Sequence, residues 1–118
     1  MGVSRARARD EAAAKLAAGV ASYALGVEVD AILDLPRGSA AAAFARQVAM
    51  YLCHVAFEQS LARVAAAFGR DRSTVAHACH VIEDRRDDCD FDTWIAALEA
   101  MLRDAPAPGR RDLFQAAS

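Results

Sequence analysis

Three positions within residues 61–78 restrict the backbone more than any others in the chain. Counted from Leu61, they are Ala65 at the fifth place, Gly69 at the ninth and Val75 at the fifteenth. A small fifth residue lets two helices touch, and a glycine at the ninth adopts a positive φ without a Cβ clash. An apolar fifteenth residue anchors the second helix on the first. This spacing predicts a helix-turn-helix, whose second helix is shaped to enter a DNA major groove.

Helical periodicity continues on both sides of this motif, and few stretches show the alternation of a strand. Alanine, the best helix former, accounts for 30 of the 118 residues and allows helices to pack closely. We therefore predict an all-α fold with Ser39 and Ser60 as N-caps, and with Asp90 or Asp92 capping the last helix. The predicted helices cover residues 9–23, a short turn at 27–33, then 40–57, 61–68, 71–86 and a last helix ending at 102.

The chain is expected to form one domain over residues 9–104, between a flexible N-terminus (1–8) and a flexible tail (105–118). No apolar run approaches the ~20 residues of a membrane span. The three cysteines form no disulfide framework, so we expect reduced thiols in a cytoplasmic, nucleoid-associated protein.

The formal net charge of −2 conceals two regions of opposite sign. Residues 37–86 carry seven arginines and four acidic residues, whereas residues 87–105 carry six acidic residues and one arginine. Binding to nucleic acid follows the local charge, so a negative total does not exclude it. The first region favours an anionic partner, and the second is free for a protein partner.

Residues that a generic helix-turn-helix does not need surround the motif. They are the runs ARQVAMYLC (45–53) and FGRDRSTV (68–75), followed by His77-Ala78-Cys79 and Ile82-Glu83. This combination resembles the C-terminal DNA-binding domain of the bacterial replication initiator DnaA, over roughly residues 16–103. The resemblance implies a small helical domain of the TrpR/DnaA C-terminal type, with double-stranded DNA as its partner.

A recognition helix reads bases through its N-terminal residues, and the resemblance points to the same positions here. Arg72 is suited to two hydrogen bonds with guanine, and Asp71 is either a base contact or only an N-cap. His77 either reaches DNA or is structural. Arg46 and Gln47 match a pair that contacts the DNA backbone, unless they are ordinary surface residues. The candidate DNA-binding residues are Arg46, Gln47, Ser60, Leu61, Arg70, Asp71, Arg72, Ser73, Thr74 and His77.

The chain departs from the DnaA pattern at several positions. DnaA domains usually have histidine where Arg72 stands and a lysine where Val81 stands. The basic loop before the arginine-glutamine pair has lost most of its arginines, and Arg37 is a partial substitute. One glycine is missing from the turn before Arg70. Each lost phosphate contact weakens binding and lowers its salt dependence.

Two functions of different classes remain. The first is a DNA-binding regulator of replication initiation or transcription. The second is a protein-interaction adaptor that reuses the fold and binds the initiator, or a protease or regulator acting on it. We expect no enzymatic activity, small-molecule substrate or cofactor, because no GxxxxGK[ST] loop occurs. We expect no metal either, because His77, Cys79 and His80 do not converge on one helix face.

Overall fold

The computed structural model describes residues 2–34 and 39–105, which leaves Arg37 and most of the predicted tail outside it. Within these residues the chain forms six helices and no strand, which confirms the all-α prediction. None of these helices is long and apolar enough to cross a membrane. The helices are α1 (Gly2–Leu25), α2 (Val29–Leu33), α3 (Ala40–Ala56), α4 (Leu61–Phe68), α5 (Arg72–Arg85) and α6 (Cys89–Arg103).

Helix α3 is the centre of the fold. Its residues 48–53 are all buried, although successive side chains of a helix point about 100° apart. Such a run has no solvent-facing side because all five other helices contact α3. Met50, Tyr51 and Leu52 are its largest fully buried side chains. Burial of each large apolar side chain contributes about 1.5–3 kcal/mol, so this helix supplies much of the core.

Helix α1 packs through alanines. Ala14, Ala17, Ala18 and Ala21 follow a helical spacing on one face, and each is at most 2% exposed. Their small side chains bring the α1 backbone close to α3, so that the Cys53 thiol lies 3.8 Å from the carbonyl oxygen of α1 residue 13. Alanines bury little area each, so this contact depends on close approach rather than on large side chains.

The start of α1 corrects the expectation of a flexible segment over residues 1–8. The helix begins at Gly2 and not at Arg9. Alternating alanine and arginine are both strong helix formers, and Arg7 pairs with Glu11 one turn later at 3.6 Å. The outer boundaries of the domain remain a prediction.

The predicted serine N-caps are confirmed, whereas the predicted cap of the last helix is wrong. The hydroxyl groups of Ser39 and Ser60 accept main-chain hydrogen bonds at the starts of α3 and α4, at 3.1 and 3.2 Å. The last helix, however, is capped by Asp88 and not by Asp90 or Asp92, because the Asp88 carboxylate accepts a main-chain N–H at 3.0 Å. Asp90 and Asp92 lie in the first turn, where their charges favour the positive end of the helix.

Two polar clusters hold the helices in position. Arg63 on α4 donates two hydrogen bonds to Asp10 on α1, at 2.6 and 3.0 Å, and Asp10 is 8% exposed. Arg86, which follows α5, donates to the Tyr51 hydroxyl at 2.9 Å and also to Asp92 and Glu99 on α6. Burial raises the pKa of Tyr51 to about 12, so its hydroxyl stays protonated over the physiological range.

Helices α4 and α5 share one apolar cluster with α3. Val64, Ala65 and Phe68 of α4 meet Val75 and Ala78 of α5 in it, and both valines are fully buried. This arrangement confirms the predicted register of the helix-turn-helix.

Ala18→Leu should destabilise the fold. Ala18 is fully buried on the alanine face of α1, so three added carbons would overpack the contact with a cost of about 1–3 kcal/mol. Ala8→Leu, at an exposed position of the same helix, is the matched control and should cost less than about 0.5 kcal/mol. Urea unfolding measures both variants. Equal midpoints for Ala18→Leu and the wild type would contradict the close packing of α1.

Val75→Asp should unfold the helix-turn-helix. It places a carboxylate without a partner in a fully buried position, which costs about 3–5 kcal/mol. Ser73→Asp puts the same group two residues earlier at an exposed position and serves as control. Circular dichroism melts compare them. If Val75→Asp melts with the wild type, the register described above is wrong.

Candidate nucleic-acid interface

The turn between α4 and α5 is set by Gly69. This residue adopts φ 65° and ψ 38°, and its N–H bonds to the Ala66 carbonyl oxygen at 3.3 Å. The next N–H, of Arg70, bonds to Ala65 at 2.9 Å. A residue with a Cβ is strained in this conformation, so glycine is favoured there. The chain reverses within two residues and enters α5 at Asp71.

The first turn of α5 presents a row of exposed polar side chains. Asp71, Arg72, Ser73, Thr74 and, one turn later, His77 are all exposed. Asp71 occupies the N-cap position in extended conformation, but its side chain makes no capping hydrogen bond. Its carboxylate is therefore not committed to the helix. The exposure of His77 disfavours the structural alternative for that residue.

A small pocket joins this row to helix α3. Its volume is about 140 Å³, and seven of its eight lining residues lie on α3 and α5. Five of the predicted DNA-binding residues line it: Arg46 and Gln47 from α3, Arg70 from the turn, and Thr74 and His77 from α5. The remaining lining residues are Ala43, Met50 and Ala78. The structure thus brings together residues that lie up to 31 positions apart in the sequence.

Arg70 is the most unusual residue of this pocket. Its Nε and Nη2 atoms are buried, and neither has a hydrogen-bond partner within the described parts of the chain. Burial, together with the positive charge of Arg46, lowers the pKa of Arg70 from its usual value. A buried donor without an acceptor costs about 1–3 kcal/mol, and more when it is charged. The pocket is therefore suited to an anion that supplies the acceptors.

Arg46 has a second task in the structure. Its Nε donates to the Ile32 carbonyl oxygen at 2.8 Å, and its Nη2 donates to those of Ala31 and Asp34 at 2.9 and 3.3 Å. Carbonyls at the end of a helix lack partners within it, so Arg46 satisfies the end of α2 from α3. Two of its three guanidinium nitrogens are thereby committed to the protein, and Arg46 reaches the pocket as a fixed charge.

Ser60 and Leu61 lie outside this pocket. They begin α4, where the Ser60 hydroxyl is engaged in its capping bond and Leu61 is half-buried. Arg63, the arginine nearest to them in the sequence, donates to the carboxylate of Asp10 on α1. This part of the predicted set is thus separate from the cluster formed by α3 and α5.

The sequence did not predict two features of the pocket, namely the hydrogen bonds of Arg46 to α2 and the unpartnered burial of Arg70. The acceptors of Arg46 lie 12 to 15 residues earlier on another helix, and no sequence pattern links them. The unpartnered burial of Arg70 follows from how the turn rests on α3. The position of Arg70 directly after the turn glycine was the only sequence signal for its burial. An arginine at such a position is also common in exposed turns, so this signal is weak.

Similar proteins agree on one family. The chromosomal replication initiator protein DnaA 2 of Chlamydia trachomatis is 51% identical over 41 residues, which cover 35% of this chain and 9% of that protein. The initiator protein DnaA of Laribacter hongkongensis is 47% identical over 60 residues, which cover 49% of this chain and 12% of that protein. The chain therefore spans about a tenth of the length of these relatives.

Solved structures give the same result over most of the fold. A crystal structure of a DNA replication initiation factor superposes with a TM-score of 0.74 at 29% identity, over 87% of this chain and 32% of that one. The replication initiator DnaA bound to AMPPCP and single-stranded DNA gives a TM-score of 0.73 at 28% identity, over 87% and 31%.

The family described as the bacterial dnaA protein helix-turn-helix matches residues 16–82, more than half of the chain. That segment contains α4, the turn at Gly69 and most of α5, with the exposed residues at its start. The chain belongs to this family of DnaA helix-turn-helix domains.

Proposed function

We propose that the chain binds double-stranded DNA with sequence preference, and that it regulates replication initiation or transcription. The start of α5 enters the major groove, while the pocket between α3 and α5 receives a backbone phosphate. The observation that carries this proposal is the row of exposed polar residues at the start of α5, next to a pocket with an unpartnered, buried guanidinium.

Base recognition falls to the first turn of α5. Arg72 is its first residue and is exposed, and its guanidinium matches the two acceptors of guanine. Asp71 keeps an uncommitted carboxylate, which suits the amino group of a cytosine. The Thr74 methyl group fits contact with the methyl group of thymine. These three residue types discriminate between bases, and a helix start with only a structural task does not need them.

Phosphate binding falls to the pocket. Nε and Nη2 of Arg70 are closed to solvent in the structure, so the side chain must turn toward the pocket before a phosphate oxygen accepts from them. The bonds that then form offset the cost of leaving these donors without a partner. The neighbouring Arg46 adds a second positive charge, and Gln47 and His77 add polar groups at the rim. Contacts of this kind fix the orientation of a protein on the duplex without reading its sequence.

The duplex form of the ligand is inferred from the helix-turn-helix itself. One similar structure is a replication initiator bound to single-stranded DNA, and this chain covers 31% of it. The proposal of double-stranded DNA rests instead on α5, whose exposed start has the dimensions of a major-groove reader.

A second candidate function is the protein-interaction adaptor. The observation in its favour is the acidic surface at the other end of α5, where Asp84, Asp87 and Asp88 are exposed. In that case the fold binds a protein such as the replication initiator, or a protease or regulator acting on it. Absence of any duplex binding at low salt, in a selection from fragmented genomic DNA, would favour the adaptor over the DNA-binding regulator.

Arg72→Ala should relax the sequence preference. After a preferred duplex has been selected from genomic fragments, this variant should lose about 1–3 kcal/mol of binding free energy on it. Its loss on a scrambled duplex should be much smaller. Arg9→Ala removes the same charge from an exposed position on α1 and should change neither value. Fluorescence anisotropy measures the wild type and both variants on both duplexes. Equal losses on both duplexes would mean that Arg72 touches phosphate and not a base.

Arg70→Ala should weaken binding to every duplex by the same factor. It should also lower the slope of log K against log salt by about one. The melting temperature should stay the same or rise, because the variant removes buried donors that lack partners. Arg46→Ala, in contrast, should lower the melting temperature, because the three carbonyl oxygens at the end of α2 lose their donor. A selective loss on the preferred duplex for Arg70→Ala would contradict the phosphate pocket.

A further inference from the structure

An open groove lies where α5 ends and α6 begins. Its volume is about 590 Å³. We call it the acidic groove, and its lining residues are Asp84, Arg85, Asp87, Asp88, Asp90, Phe91 and Trp94. Helix α5 has 14 residues and a length of about 21 Å, so the acidic groove lies that far from the first turn of α5.

The floor of the acidic groove is aromatic. The rings of Phe91 and Trp94 lie 5.4 Å apart, and Phe44 of α3 lies 6.3 Å from Phe91. The guanidinium carbon of Arg85 is 4.7 Å from the ring centres of both phenylalanines. The floor therefore already binds one guanidinium of the chain itself. Trp94, the best cation acceptor among aromatic residues, has no such cation over it among the described residues.

The acids around this floor are not all accounted for by the fold. Asp88 caps α6, and Asp84 lies 3.4 Å from His80. Asp87 and Asp90 are exposed, and neither has an ion pair or side-chain hydrogen bond within the described parts of the chain. Asp90 gains from its place in the first turn of α6, but Asp87 lies in the preceding turn and gains nothing there.

We propose that the acidic groove binds an arginine-bearing segment of a partner protein. Its guanidinium stacks on Trp94 and pairs with the carboxylates of Asp87 and Asp90. Arginine fits better than lysine, because its planar group stacks on an aromatic ring and donates two parallel hydrogen bonds at once. The carboxylates repel a nucleic-acid backbone. A metal ion is a poor fit, since no three potential ligands converge among the described residues.

This proposal does not rest on DNA binding. The distance of about 21 Å between the acidic groove and the first turn of α5 exceeds the Debye length of about 8 Å at physiological salt. The charges of Asp87 and Asp90 are therefore largely screened from the first turn of α5. The failure of one proposal leaves the other intact.

Trp94 supplies a built-in reporter, because it is the only tryptophan of the chain. The probe is an acetylated hexa-arginine peptide, titrated into the full chain without DNA at 0.15 M salt. We expect a saturable change in tryptophan fluorescence. Asp87→Asn with Asp90→Asn should weaken binding roughly tenfold through the loss of two ion pairs. A hexa-lysine peptide should bind the wild type more weakly than hexa-arginine.

The matched control is Glu28→Gln with Asp30→Asn, which removes the same charge from exposed positions before and within α2. This variant should bind hexa-arginine within about twofold of the wild type. Melting curves confirm that both double variants are folded. Affinity of the groove variant for the preferred duplex should be unchanged, which separates this site from the DNA-binding surface.

Three results would overturn the proposal. Equal losses of peptide affinity in the two double variants would mean that the peptide responds only to the net charge of the chain and does not bind in the acidic groove. Concentration-dependent sedimentation that disappears with Asp87→Asn and Asp90→Asn would make a second copy of the chain the occupant. Tighter peptide binding by Arg110→Ala with Arg111→Ala would assign the acidic groove to arginines of the same chain.

Discussion

The burial of residues 48–53 of α3 on all sides is the constraint on which the rest of the structure depends. A helical run with no solvent-facing side must be surrounded, and all five other helices contact α3. On one side the alanine face of α1 comes close enough for the Cys53 thiol to lie near a carbonyl oxygen of α1. On another, Val75 and Ala78 hold α5. The exposed start of α5 is presented at a defined angle because its other face is immobilised in this way.

The position of α5 separates charges that the net value of −2 conceals. At its start, Arg70 and Arg46 lie around one pocket, and the only acid in the adjacent row is Asp71. At its end, the exposed acids of the acidic groove dominate. Helix polarity adds to the contrast, because the start of a helix attracts anions and its end attracts cations. A single rigid helix thus offers two opposite electrostatic environments.

The parts of the structure that sequence predicted well are those under local steric control. Gly69 and Val75 follow from a turn and a contact that tolerate few other residues, and Ser39 and Ser60 cap through bonds to their own helices. The cap of α6 was misplaced because several aspartates in one short stretch are all capable of it. Packing of α6 against α3 decides among them, and packing is not local.

Contacts across the fold explain the rest of what sequence left open. Residues 2–8, part of the expected flexible N-terminus, are helical in the structure, because the tendency of alanine and arginine to form helix outweighs the absence of an apolar stripe there. The carbonyl contacts of Arg46 and the unpartnered burial of Arg70 both arise between elements. A sequence read along one helix at a time contains neither.

The fixed length of α5 has a consequence for assembly. If both proposed sites are occupied, the duplex and the peptide lie near opposite ends of α5, a helix of about 21 Å. Binding of one ligand then presents the second ligand at an effective concentration on the order of millimolar, provided that a short linker joins the two ligands. Avidity would in that case depend on the length of the linker, and no change in the shape of the domain would be needed.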